Sequence, residues 1–249
     1  MRAFNAELSK LFSLPSIWLA FLIGAFAPAV IAALDSIAQK GEIIAGVSTR
    51  LSEVGYIGLA LGVQGVIIIG VLAVSSEYLT ESSESGGGNQ ITTSLTVVSS
   101  RLHFLLAKAG VVTVISILLC IVAMLTTVSA THLILGDYTP AFEWSKLIGA
   151  VCYWAFTALL AFGITVLTKN GIIPLAVLII NTSLVSFSFL LSKITKLALY
   201  LPDRVGLEMF MFTGDRFLTP FTGGLVMFAW VIVLFIVAAI IFHRRDVAS

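Results

Sequence analysis

Long apolar stretches alternate with short polar ones along the chain, and the apolar stretches are too long for strands or for the helices of a water-soluble core. An α-helix crosses a hydrocarbon layer of about 30 Å with about 20 residues. Six stretches, at about 17–34, 54–75, 109–130, 147–168, 171–191 and 221–242, approach or exceed that length and contain no Asp, Glu, Lys or Arg. Each is expected to be helical, because a strand edge in lipid leaves backbone groups unpaired. Only Lys169 and Asn170 part the fourth from the fifth, which predicts a tight helical hairpin. The expected fold is an all-α polytopic membrane protein with six transmembrane helices.

Between these stretches the polarity pattern changes period. Phe4, Leu8, Leu11 and Phe12 recur at helical spacing opposite Arg2, Asn5, Ser9, Lys10 and Ser13, so an interfacial helix is expected over 1–14, with Pro15 opening the next one. In the loop 76–108, a Ser/Glu/Gly run is followed by Ile91, Leu95, Val98, Leu102 and Leu105 at helical spacing, with Asn89 placed to cap the helix. The polar face there carries Thr92, Thr93, Thr96, Ser99 and Ser100 instead of the Lys and Arg of lipid-binding helices, which favours a protein partner. The segment 192–220 reads as external, amphipathic and partly re-entrant. Its Phe210, Met211, Phe212 and Phe217 are available to the outer leaflet beside Asp203, Arg204, Asp215 and Arg216. Phe210, Phe212 and Phe217 are candidates for an external gate, with a structural cap as the equal alternative.

Composition agrees with the pattern. Only 11% of the 249 residues are charged and 59% are hydrophobic, with a mean hydropathy of +1.08, against about 25% charged in globular proteins. A net charge of +1 gives no support to a nucleic-acid partner. Cys120 and Cys152 fall inside apolar stretches and read as small core residues. Ala25-Phe26-Ala27 and Ala27-Pro28-Ala29 look like signal-peptide cleavage sites, but the apolar run continues past both to Leu34. The basic residues divide evenly between the two sides of the membrane. Arg244 and Arg245, close after the last span, and Lys169, in the tightest turn, favour both termini in the cytoplasm of a plasma-membrane protein.

Candidate chemistry is sparse. With no charge inside a span, nothing resembles an ion relay. G-x-S-x-G and H-E-x-x-H are missing, and no Gly-Lys pair allows a P-loop, so a nucleotide would have to bind another chain. His132 and Asp137 share a loop and read as solvated residues. The strongly polar side chains within spans are Gln64 and Asn181, which suit interhelical hydrogen bonding or, alternatively, a substrate path.

The order Gly70 to Glu77-Tyr78, then Ile91-Thr92-Thr93-Ser94-Leu95, then Leu105-Leu106-Ala107-Lys108 resembles the G-x-x-x-x-x-x-E-Y…I-R-x-T-L…L-x-A-K pattern of ABC-2 type permeases, the membrane subunits of many bacterial ABC exporters. Glu7, Lys10, Leu11 and Trp18 resemble the start of that family, and the resemblance covers essentially the whole chain as a single transmembrane domain, 1–249. It implies a transport subunit that is not itself an enzyme and binds no cofactor. ATP and Mg would be bound in a partner ABC ATPase present in two copies. A second permease subunit, identical or paralogous, would complete the exporter within the lipid bilayer. Glu77, Tyr78, Ile91, Thr92, Thr93, Ser94, Leu95 and Thr96 would couple to the ATPase, and Gln64 and Asn181 would flank the path. The substrate implied is apolar, peptide or lipid-like, as in drug or bacteriocin resistance. Thr92 stands where the family has Arg, and the interval from Tyr78 to Ile91 is longer than usual. An ATP-independent immunity or structural protein, and an ion-coupled secondary transporter, are the other classes; the latter would call for charged or discontinuous helices.

Overall fold

The computed structural model describes residues 2–48, 51–78, 80–81, 88–89, 100–141, 143–183, 186–211 and 217–244. Helices dominate them: α1 (Arg2–Ser13), α2 (Pro15–Ile44), α3 (Tyr56–Leu61), α4 (Gln64–Ser75), α5 (Arg101–Leu135), α6 (Trp144–Thr168), α7 (Ile172–Asn181), α8 (Phe187–Ser192), α9 (Pro202–Glu208) and α10 (Pro220–Arg244). Five helical stretches are long and apolar enough to cross a membrane: α2, α3 with α4, α5, α6 and α10. The described residues are therefore almost wholly helical, and their long apolar helices are those of a membrane protein.

The sixth expected span is different. Over 171–191 the chain forms two short helices: α7, with 10 residues, stops at Asn181, and α8, with six, begins at Phe187. The hairpin before it is as expected. Lys169 adopts the left-handed conformation (φ 54°) that ends α6, and Asn170 Oδ1 accepts from the Ile172 N–H to start α7.

The bundle is ordered by small residues. α2 turns Ile17, Ala20, Gly24, Pro28 and Ala32 inward, and it leaves Trp18, Leu22, Phe26, Val30 and Leu34 exposed as a stripe four residues apart. Gly24 and Pro28 meet Gly58, Gly62 and Gly65, and a Cβ added to Gly65 would lie 2.5 Å from the Gly24 Cα. Such close backbone approach is the usual source of helix association in lipid, where burial of apolar surface gives little. The combined α3 and α4 are the most enclosed of the five stretches, and α10 is the least. The turn at Gly62 and Val63 that separates α3 from α4 lies inside this packing. The Leu59 carbonyl beside it accepts from Trp154 Nε1 at 2.9 Å, as a helix end away from water requires.

Two other expectations change. Asn89 is extended and pairs with Thr80 in a two-residue antiparallel ladder, with Glu81 opposite Gly88, instead of capping a helix. Ser100 supplies the cap of α5, accepting from the His103 N–H. The expected helical run from Ile91 to Ser99 lies outside the described residues. The spans also extend beyond their apolar cores: α2 runs to Ile44, and α5 begins at Arg101. Charges expected in loops thus fall on helices.

Candidate functional site

The first candidate site is built where α1, α4 and α5 meet. α1 is amphipathic as expected, with Leu11 buried and Phe4, Leu8 and Phe12 packed on the core. Glu7 also faces inward and is buried. Glu77 follows the end of α4, and Lys108 sits in the second turn of α5; both are buried. Lys108 Nζ lies 2.5 Å from Glu7 Oε2 and 2.9 Å from Glu77 Oε1, and it donates to the Ala73 carbonyl at 3.0 Å. The Glu77 and Ala73 contacts are hydrogen bonds, and the Glu7 contact is an ion pair. Lys10, more exposed, reaches Glu77 at 3.3 Å and Glu7 at 3.7 Å. Two carboxylates and two ammonium groups balance, which is what allows them to leave water.

The position of this cluster matters. Glu77 precedes the loop and Lys108 follows it, so the pair closes the base of the segment between them and ties that base to α1. Tyr78 packs against the core beside it. Arg101 Nη1 donates to the carbonyls of Phe242 and His243, which brings the end of α10 to the same end of the bundle. Of the coupling residues expected from sequence, Glu77 and Tyr78 are here, while Ile91, Thr92, Thr93, Ser94, Leu95 and Thr96 lie outside the described residues. Glu7 and Lys108 were legible as parts of the motifs, but an absence of charge within apolar stretches gave no reason to expect them buried together.

The second candidate site surrounds the break between α7 and α8, toward the other end of the bundle. Asn181 Oδ1 accepts from both the backbone N–H (3.1 Å) and the hydroxyl (3.0 Å) of Ser188, holding the two helices together. Asp203, in the first turn of α9, is buried beside them. Burial raises its carboxyl above the usual 3.8, while the polar Ser188 and Asn181 side chains and the nearby Arg204 charge oppose the rise. One carboxylate oxygen of Asp203 has no hydrogen-bond partner among the described residues. Asp203 separates a cavity of about 240 Å³, shared with Arg204, from one of about 180 Å³ that none of the described Lys or Arg residues lines.

Gln64 lies apart from Asn181. It lines an open groove of about 430 Å³ with Ile31 and Ser183, and that groove shares Leu61 and Ser183 with the Arg204 cavity. The three gate candidates have different surroundings. Phe210 is buried with its ring 5.4 Å from Tyr153, Phe217 makes an edge contact with Tyr200 at 5.1 Å, and Phe212 lies outside the described residues. Phe210 is drawn inward because Gly149 lets the Met209 backbone and the Phe210 Cβ lie against α6. Lys146, just before the apolar stretch 147–168, is buried at the start of α6, 3.0 Å from Glu143 and over the Tyr56 ring. Cys120 and Cys152 are free thiols, as expected of core residues. No group of three or more His, Cys, Asp or Glu able to hold a metal occurs among the described residues.

No protein-family model matches the chain, and no curated protein matches it.

Proposed function

We propose that the chain is the permease subunit of an ATP-driven exporter of the ABC-2 type, worked by a separate ATPase. One observation carries the reading: Glu7, Glu77 and Lys108, each from a different motif of the resemblance, meet in one buried ion cluster at the base of the loop 79–99. A force applied to that loop would reach α4, α5 and α1 together as a rigid-body displacement. The broken segment 171–191 would complete a sixth crossing, and the cluster end of the bundle, with both termini, would face the cytoplasm. Two such subunits would enclose the path, with Gln64 and Asn181 on its walls and an apolar, peptide or lipid-like substrate moving outward.

Purification of the tagged chain from its own membranes in mild detergent tests this. An ATP-binding chain should copurify in equal amount, and Asp substitutions at Thr92, Thr93 and Thr96 should release it. If none copurifies and the substituted protein behaves like the original, the reading fails.

A second reading gains support from the break between α7 and α8 beside the buried Asp203, the discontinuous helix and acid that ion-coupled transporters use. It predicts substrate movement in vesicles driven by a proton or sodium gradient without ATP.

A further inference from the structure

The cavity behind the helix break has a chemistry that neither transport reading specifies. It lies between α6, α7, α9 and α10, and its walls are mostly aliphatic, with Leu160 and Met227 among them. Among the described residues Asp203 is the one charged residue lining it, only 7% exposed, and one of its carboxylate oxygens has no partner there. The Thr157 hydroxyl, also deeply buried, is likewise without a partner. Trp230 lines the cavity while its indole N–H is committed to the Tyr200 carbonyl at 2.8 Å, so the ring contributes its π-system and no donor. A buried carboxylate oxygen and a buried hydroxyl are costly to leave unpaired, and a donor brought by a ligand would satisfy both.

We propose that this cavity binds a compact organic monocation, an amine with an apolar body, whose ammonium group meets Asp203 and Thr157 and whose body fills the space beside Trp230. Size sets the class: about 180 Å³ exceeds the ~150 Å³ that accepts one benzene ring, leaving room for a short aminoalkyl arm. Charge sets the sign. The cavity on the other side of Asp203 includes Arg204, which repels a cation, whereas none of the described basic residues lines this one. A bare metal ion is a poor fit, since hard cations take six or more oxygens or near-octahedral oxygen shells and this wall is largely hydrocarbon. The inference concerns a ligand and not an energy source, so it stands or falls separately from the ATPase reading.

The test is calorimetric titration of the purified full-length protein in sodium-free detergent buffer with 2-phenylethylamine, 2-phenylethanol and 3-phenylpropanoate, which share a body and differ in charge. The amine should bind about tenfold or more tightly than the alcohol, as a charge-assisted hydrogen bond requires, and the acid should not bind. Asp203→Asn should erase the preference, and Thr157→Val should weaken amine binding several-fold. Should Asp203→Asn fail to fold, the charge series on the unaltered protein decides. Equal binding of amine and alcohol, binding of none of the three, retention of the preference in a folded Asp203→Asn protein, or full displacement of the amine by equimolar sodium each overturns the proposal.

Discussion

Lys108 and Glu77, separated by the whole loop between the second and third helical stretches, are joined 2.9 Å apart in the interior of the protein. Glu7 completes the pairing from the first helix. The loop therefore leaves and re-enters the bundle through one electrostatic clamp.

Removal of the central cation should be the most damaging single change there. Lys108→Met leaves two buried carboxylates to the more exposed Lys10 alone, and breaking a buried ion pair from one side costs about 3–5 kcal/mol. Glu77→Gln leaves Lys108 with Glu7 and should cost less. Thermal unfolding in detergent, followed by dye labelling of the buried free thiol Cys120, should show Lys108→Met melting well below Glu77→Gln. Equal melting temperatures for both variants and the parent would show that the cluster contributes little.

Helix packing makes a second prediction. Gly70 faces the Ala158 carbonyl so closely that a Cβ has no place, whereas nothing lies within 4 Å of the Cβ position at Gly41 in α2. Gly70→Ala should force α4 from α6 at a cost of about 1–3 kcal/mol. Gly41→Ala should stabilise by about 0.5–1 kcal/mol through backbone entropy. The same labelling assay checks both, and a stabilising Gly70→Ala would refute the packing.

Much of this was readable in sequence, for physical reasons that differ by element. Long helices follow from uninterrupted apolar length, so α2, α5, α6 and α10 lie where hydropathy placed them, and α1 shows its inward Phe4, Leu8 and Leu11. The segment 171–191 misled because length and hydropathy do not register a break that side chains repair: Asn181 hydrogen-bonds Ser188 across it. Charges misled in another way. Lys108 and Lys146 flank apolar stretches and Asp203 lies between two of them, and in one dimension such charges look solvated. Only partners distant in sequence, such as Glu7 for Lys108, make burial possible. Phe210 looked like a membrane anchor because nothing local announces that Gly149 admits it to the core.

Asn181 holds the break together, so Asn181→Ala should loosen it. Loss of two hydrogen bonds to Ser188 is expected to cost about 1–3 kcal/mol. Amide exchange measured by mass spectrometry should speed up over 182–192 more than in α6. Unchanged exchange would remove Asn181 from this role.

The Asp203 carboxyl predicts a pH dependence of definite sign. Its folded value lies above the ordinary 3.8 because it is buried. At pH below 3.8 both folded and unfolded chains hold the proton, and the residue is neutral with respect to stability. As pH rises from there toward the raised value, the unfolded chain loses the proton first, so stability falls with rising pH and then levels off. Asp203→Asn lacks this titration. The melting temperature of the variant relative to the parent should therefore climb across that interval and stay flat above it, and parallel profiles would contradict the burial of a titrating acid.

Site-specific photocrosslinking from position 93 in native membranes tests the central claim most directly. With a photoreactive residue replacing Thr93, illumination should join the chain to a second polypeptide that binds ATP, and Lys108→Met should reduce the yield by loosening the base of the loop. Crosslinks to lipid or to the chain's own residues alone, with no ATP-binding partner, would contradict an externally powered permease.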